Sequence, residues 1–137
     1  MAYQSRFGRN SKKRLSECHP DLQRLFNEVI KHWNCAVITG HRGKLEQDQA
    51  FNEFRSKLKF PQSKHNKIPS RGTDVIPWFP EFPHIRWNDR EAFYCFGGFV
   101  LGIAAVIGIK IRWGGDWDQD EELHDQSFFD LPHFELI

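Results

Sequence analysis

Ser63-Lys64-His65-Asn66-Lys67-Ile68-Pro69-Ser70-Arg71-Gly72-Thr73-Asp74-Val75-Ile76-Pro77 is a polar loop that runs into a short strand. Proline, serine and glycine punctuate its first half, the composition of an irregular connection. Gly72-Thr73-Asp74-Val75-Ile76 is rich in β-branched residues, and Pro77, which has no N–H to give a ladder, stops it. The loop therefore carries His65 and the strand carries Asp74. A second segment, Asp130-Leu131-Pro132-His133-Phe134-Glu135-Leu136, closes the chain and adds another histidine, with an acid three residues before it. Two imidazoles and one carboxylate suit a catalytic zinc ion, because three protein ligands leave the fourth tetrahedral position for water. Asp130 beside that water would then be a general base. Taken singly, each residue has a plainer explanation: a lone loop histidine is usually only hydrogen-bonded, and Asp74 could be a turn acid.

Working outward, Cys35-Ala36-Val37-Ile38-Thr39 has the form of a strand leading into the turn Gly40-His41-Arg42-Gly43, and Ile109-Lys110-Ile111-Arg112-Trp113 alternates like another. Phe134 to Ile137 reads as a short terminal strand. Helical spacing of Leu15, Leu22, Leu25, Phe26, Val29 and Ile30 predicts a first helix with Ser11 as a possible cap, its main body starting near Pro20. A second helix is expected from about Lys44 to Lys57, and a third from Asn88 or Asp89 to about Gly108. Helices and strands in this order predict an α+β domain with a small antiparallel sheet and packed helices.

The 137 residues form a length that one domain fills, so residues 1–137 are expected to be a single unit. A formal charge of +1 gives no argument for a nucleic-acid partner. Cys18, Cys35 and Cys95 are widely spaced and contain no CxxC, the pattern of reduced structural thiols. The polar, basic N-terminus lacks the form of a secretory signal. Ala92 to Ile109 holds no charged residue and is just long enough for a membrane span. Four glycines dilute it, however, and a span there would put His65 and Asp74 on the far side of a bilayer from His133. The metal site thus predicts a buried helix rather than stable membrane insertion.

With its flanks included, the sequence resembles the zinc-dependent D-alanyl-D-alanine carboxypeptidase and endolysin family (VanY-like peptidases), in particular its small phage L-alanyl-D-glutamate endopeptidases. The family pattern SxHxxGxAxD, followed far downstream by acid-x-x-His, is matched by Ser63-Lys64-His65, Asp74 and Asp130-Leu131-Pro132-His133. Thr39-Gly40-His41-Arg42-Gly43 is similar to the family's strand-end arginine turn, and Gly108 to Trp117 to its stretch before the terminal motif. His65 and Asp74 are nine positions apart where the common pattern has seven, and Ser70 and Gly72 stand where Gly and Ala are usual.

The resemblance implies a hedgehog-like, DD-peptidase-like fold with zinc on His65, Asp74 and His133 and with Asp130 as the base. It further implies that Arg42 binds substrate and stabilises the oxyanion, and that Ser63 contacts substrate or holds the ligand loop. The implied function is hydrolysis of a peptidoglycan stem-peptide amide, L-Ala-D-Glu in the leading reading, by a monomeric phage endolysin. It would be made in the host cytoplasm and reach the wall after holin-type release. D-Ala-D-Ala carboxypeptidase activity is the near alternative. A non-catalytic zinc-containing wall-binding or virion structural protein is the alternative of another class.

Two other features carry weaker readings. Asp116, Asp118 and Asp120 alternate as calcium ligands can, but Glu121 replaces the glycine that an EF-hand turn requires and Ser127 stands at its twelfth position, leaving a looser calcium site or a solvated acidic loop. His124 and Asp125 are candidates for substrate contacts. Trp78, Trp87, Trp113 and Trp117 are candidates for a glycan or peptide groove, or for core and rim.

Overall fold

The computed structural model describes residues 5–124 and 129–137. Four strands, β1 (Cys35–Thr39), β2 (Gly72–Pro77), β3 (Ile111–Gly114) and β4 (Asp130–Leu136), make one sheet in the order β1-β2-β4-β3. Every neighbouring pair is antiparallel. Four helices, α1 (Arg9–Ser16), α2 (Pro20–Val29), α3 (Lys44–Asn52) and α4 (Arg90–Ile107), accompany it among the described residues, so the α+β class read from the sequence is the class observed.

Strand alternation divides the sheet into a chemical face and a core face. Asp74 pairs across the ladder with His133, and Arg112 pairs with Glu135, which puts all four side chains on one face. The residues between them point the other way. There Phe134 meets Phe26 of α2 edge-on at 5.5 Å and Phe96 of α4 at 6.1 Å, and stacks on Trp113 at 6.5 Å. Leu22, Leu25 and Val29 of α2 complete this core with Val37, Val75 and Val100. The metal-type residues are thus held by a sheet whose reverse side is fully packed.

α4 starts where the Asp89 carboxylate accepts the Ala92 N–H at 3.1 Å, and ends at Gly108, whose φ of +77° suits glycine. Its inner side buries Phe93, Phe96, Gly97, Val100 and Ala104. Gly97 lies under the Trp113 indole, which a Cβ would strike. α4 is long and apolar enough to cross a membrane by length and composition, with 28 % of that window buried. The expected buried helix is therefore corrected to one that buries a single side, with Gly98, Gly102 and Val106 facing outward.

Several boundaries differ from the sequence reading, each for a local reason. The first helical stretch is two helices: Gly8 stands at the start of α1, and His19 caps α2 by accepting the Asp21 N–H on Nδ1 at 3.0 Å. Ser11 is no cap; its hydroxyl accepts the Val37 N–H at 3.0 Å and ties α1 to β1. α3 ends at Asn52 rather than Lys57, because the Arg55 and Ser56 N–H groups both turn back to the Ala50 carbonyl and Phe54 adopts φ +61°. β3 begins at Ile111 rather than Ile109, and β4 begins at Asp130 rather than Phe134. The extra length of β4 rests on Gly114, which pairs with Asp130 across an irregular register and leaves no room for a Cβ beside the Asp130 carbonyl.

Candidate metal and catalytic site

Asp74 on β2, His133 on β4 and His65 in a single 3-10 turn (Lys64–Asn66) converge beside the sheet, all three buried. Ser63 builds that turn. Its hydroxyl accepts the His65 N–H at 3.2 Å, while the Asn66 side-chain oxygen accepts the Ser63 N–H at 3.0 Å, a reciprocal capping box. The loop is sealed further by Arg42 N–H donating to the His65 carbonyl at 2.8 Å, and by Asn66 Nδ2 donating to the Arg42 carbonyl at 2.9 Å. At its other end the Ser70 hydroxyl donates to the Gly72 carbonyl at 2.6 Å, so the additional residues between His65 and Asp74 run out as exposed Lys67-Ile68-Pro69 between two anchored ends.

Each imidazole has one nitrogen committed to the protein and the other facing its partners. His65 Nδ1 lies 2.8 Å from the Gly40 carbonyl, and His133 Nε2 lies 2.8 Å from Glu135 Oε1. The free atoms form a triangle: His65 Nε2 to His133 Nδ1 is 3.2 Å, His133 Nδ1 to Asp74 Oδ1 is 3.2 Å, and His65 Nε2 to Asp74 Oδ1 is 3.4 Å. A tetrahedral zinc ion with bonds of about 2.0–2.1 Å requires ligand–ligand edges of about 3.3 Å. The donor set fits such an ion in chemistry and in spacing.

Electrostatics ask for the same thing. Although burial pushes Asp74 up, the imidazoles of His65 and His133 hold its carboxyl well below the usual range. For His133, burial lowers the pKa, but hydrogen bonds to Asp74 and Glu135 outweigh it and raise the group to about 10. The cluster is built to hold positive charge at the centre of these acids. Glu135 in turn is bonded by Arg112 at 2.8 Å, and Trp117 lies over the His133 ring at 5.6 Å.

The pocket beside this cluster, about 300 Å³, is lined by Asp130, His133, His65, Arg42, Ser63 and Trp117, so of the site residues that the family resemblance implies only Asp74 is absent from its wall. Burial and then the Asp74 charge push Asp130 up to about 6, offset in part by His133, His65 and Arg42. Arg42 reaches Asp74 Oδ2 at 3.6 Å and donates to Gln47 Oε1 at 3.0 Å. Gln47 is wholly buried and also donates to Ser56 and to the Leu58 carbonyl. Glu135 and Gln47 were not found by reading the sequence for ligands. The signals were present: Glu135 is two residues from His133 on one strand, and Gln47 lies one helical turn into α3, behind Arg42.

The remaining candidates fall outside the cluster. Asp116, Asp118 and Asp120 can bring one oxygen each within 4.8 Å of one another. Both Asp116 oxygens, however, accept backbone N–H groups, from Asp120 at 3.3 Å and Glu121 at 2.9 Å, so the loop's own turn accounts for the buried acid. His124 is exposed and lies 3.9 Å from Glu122, away from the pocket lining; Asp125 and Ser127 lie outside the described residues. Trp113 is core, Trp78 stacks on His84 at 4.6 Å, and Trp87 is exposed.

Comparison with known proteins places the chain in a family. The family model described as phage L-alanyl-D-glutamate peptidase matches residues 1–137. The L-alanyl-D-glutamate peptidase of Escherichia phage T5 is 30 % identical over 137 residues, covering 96 % of this chain and 98 % of that one. The crystal structure of the Serratia marcescens L-Ala D-Glu endopeptidase ChiX aligns with a TM-score of 0.72 at 21 % identity, over 98 % of this chain and 92 % of that chain, a likeness of fold. A match along the whole sequence, together with a relative of this identity and coverage, makes this chain a member of the phage L-alanyl-D-glutamate peptidase family.

Proposed function

We propose that this chain is a zinc endopeptidase that hydrolyses the L-Ala–D-Glu amide of peptidoglycan stem peptides, and that it serves a phage as an endolysin. The observation that carries the reading is the triangle of His65 Nε2, His133 Nδ1 and Asp74 Oδ1, whose edges match a tetrahedral ion and which opens on a pocket shared with Asp130. Zinc, when bound there, supplies Lewis acidity that activates water and polarises the scissile carbonyl. Asp130 accepts the proton of the attacking water and returns it to the leaving amine, a role that suits a carboxylate raised to about 6. Arg42, held by Gln47 and Asp74, presents its guanidinium to the oxyanion or to a substrate carboxylate. Ser63 supports this by fixing the His65 turn, and it also lines the pocket in which substrate would lie.

The pocket lining also suits an acidic peptide, since Arg42, Arg55, Lys57, Lys64 and Arg112 all border it. Family membership favours the internal L-Ala–D-Glu bond over a terminal D-Ala–D-Ala bond. Residues 1–137 would act as one peptidase domain, made in the host cytoplasm and admitted to the wall by a holin-type opening. Asp130→Ala is the test that separates an enzyme from a non-catalytic zinc protein. It should bind one zinc ion per chain and unfold as the wild type does, while peptide hydrolysis falls by at least about 10²-fold. Undiminished turnover in the variant would remove Asp130 from the mechanism.

A further inference from the structure

Asp130 belongs to the walls of two cavities, which have no other lining residue in common. The first is the basic pocket that holds the metal ligands. The second, about 390 Å³, is of different chemistry, with Trp87, Phe93 and Phe129 along it and Asn88 and Arg90 at its edge. Trp87 lies nearly parallel to Phe93, with centroids 6.2 Å apart and planes at 25°, and keeps 58 % of its surface exposed. The Arg90 guanidinium stands 5.1 Å from the Phe129 ring. Among the described residues, neither the Asn88 amide nor Arg90 is engaged in a side-chain hydrogen bond or ion pair. An aromatic wall with an exposed indole, beside an amide and a guanidinium that rests on aromatic rings and keeps its N–H groups for a ligand, matches a pyranose: the apolar C–H face of the ring packs on the indole, and hydroxyl and acetamido groups bond the polar edge.

We propose that this second cavity is a saccharide subsite, which takes the N-acetylated amino sugar that bears the stem peptide. The inference rests on the L-Ala–D-Glu reading of the first site. In that substrate a single lactyl group joins L-Ala to the sugar, so the ring begins at most about 7 Å from the scissile carbonyl, two extended units of chain. An adjoining cavity that shares the proposed catalytic acid suits a ring held on so short a link. Charge sets the direction. Carboxylates lie on the D-Glu side of the scissile bond and match the first pocket, where five cations outnumber the acids Asp130 and Glu135, whereas the sugar side is neutral and matches the aromatic one.

The test compares two substrates with the same peptide, one carried on the N-acetylglucosaminyl-N-acetylmuramyl disaccharide and one free and N-acetylated, using the zinc-loaded full chain. The sugar-bearing substrate should have a kcat/KM about tenfold higher, mainly through KM, and Trp87→Ala should bring that ratio to about one. Equal rates on the two substrates, or a ratio that Trp87→Ala leaves unchanged, would overturn the subsite. In a second measurement, the peptide-free disaccharide should alter the tryptophan fluorescence of the wild type and not that of Trp87→Ala. If neither substrate is cut between L-Ala and D-Glu, the underlying peptidase reading fails, and the fluorescence titration alone decides the subsite: a saturable response that depends on Trp87 keeps it, and no response removes it.

Discussion

Glu135 has both of its oxygens committed, Oε1 to His133 Nε2 and Oε2 to Arg112, each at 2.8 Å. Because a carboxylate can only accept at Nε2, it fixes the His133 proton there and leaves the Nδ1 lone pair toward the metal position. Glu135→Ala should therefore weaken zinc binding about 10–100-fold in a chelator competition, and Glu135→Gln, which keeps an acceptor, should recover part of the loss. Equal affinity in all three proteins would show that the tautomer is set elsewhere. Asp130 provides the second prediction at this scale. A base works only when ionised, and this carboxyl is raised to about 6, so kcat/KM should rise with pH along a limb centred at or somewhat below 6, with the positive charge of the ion drawing it downward. With zinc occupancy checked at each point, a rate that stays flat from about pH 4.5 to 8 would deny Asp130 this role. Of these residues, His65, Asp74, His133 and Asp130 were legible in the sequence as candidates because their flanks resemble the motifs of a peptidase family. Glu135 and Gln47 were not, since a glutamate near a terminus and a glutamine on a helix usually face water; burial by the surrounding fold gives them their roles.

The strands were legible as elements because Cys35–Thr39 and Gly72–Pro77 are β-branched runs between turn residues, and because Ile111 to Trp113 alternates. Their pairing was not, for nothing local says that β4 inserts between β2 and β3 and sets His133 opposite Asp74. The ends of α3 and β4 were misread for the same reason: backbone groups of Arg55 and Ser56 and the close approach of Gly114 to Asp130 decide them. α4 offers a test of packing within one helix. At Gly97 a Cβ would strike the Trp113 ring, whereas at Gly98 and Gly102 it would meet nothing within 4 Å. Gly97→Ala should destabilise the protein by about 1–3 kcal/mol in denaturant unfolding. Gly98→Ala and Gly102→Ala should each stabilise it by about 0.5–1 kcal/mol through helix propensity. The same sign at all three positions would mean that α4 does not seat on β3 as described.

At the scale of the whole molecule, a sheet packed on one side by α2 and α4 leaves its other side to the polar cluster, and the candidate metal ligands come from distant parts of the sequence that this topology brings together. The order of helices and strands predicted the class of fold, and the His and Asp contexts pointed to the group that the fold brings together. The basic pocket and the aromatic cavity on either hand of Asp130 became visible only once the chain was folded. The central claim is that this site cuts one bond with the help of one ion. Mass spectrometry of fragments released from purified peptidoglycan, with and without a chelator, tests it most directly. The account predicts new L-Ala carboxyl termini and new D-Glu amino termini, lost on chelation and restored by zinc. Release of terminal D-Ala alone, or L-Ala–D-Glu cleavage that survives complete removal of the metal, would contradict it.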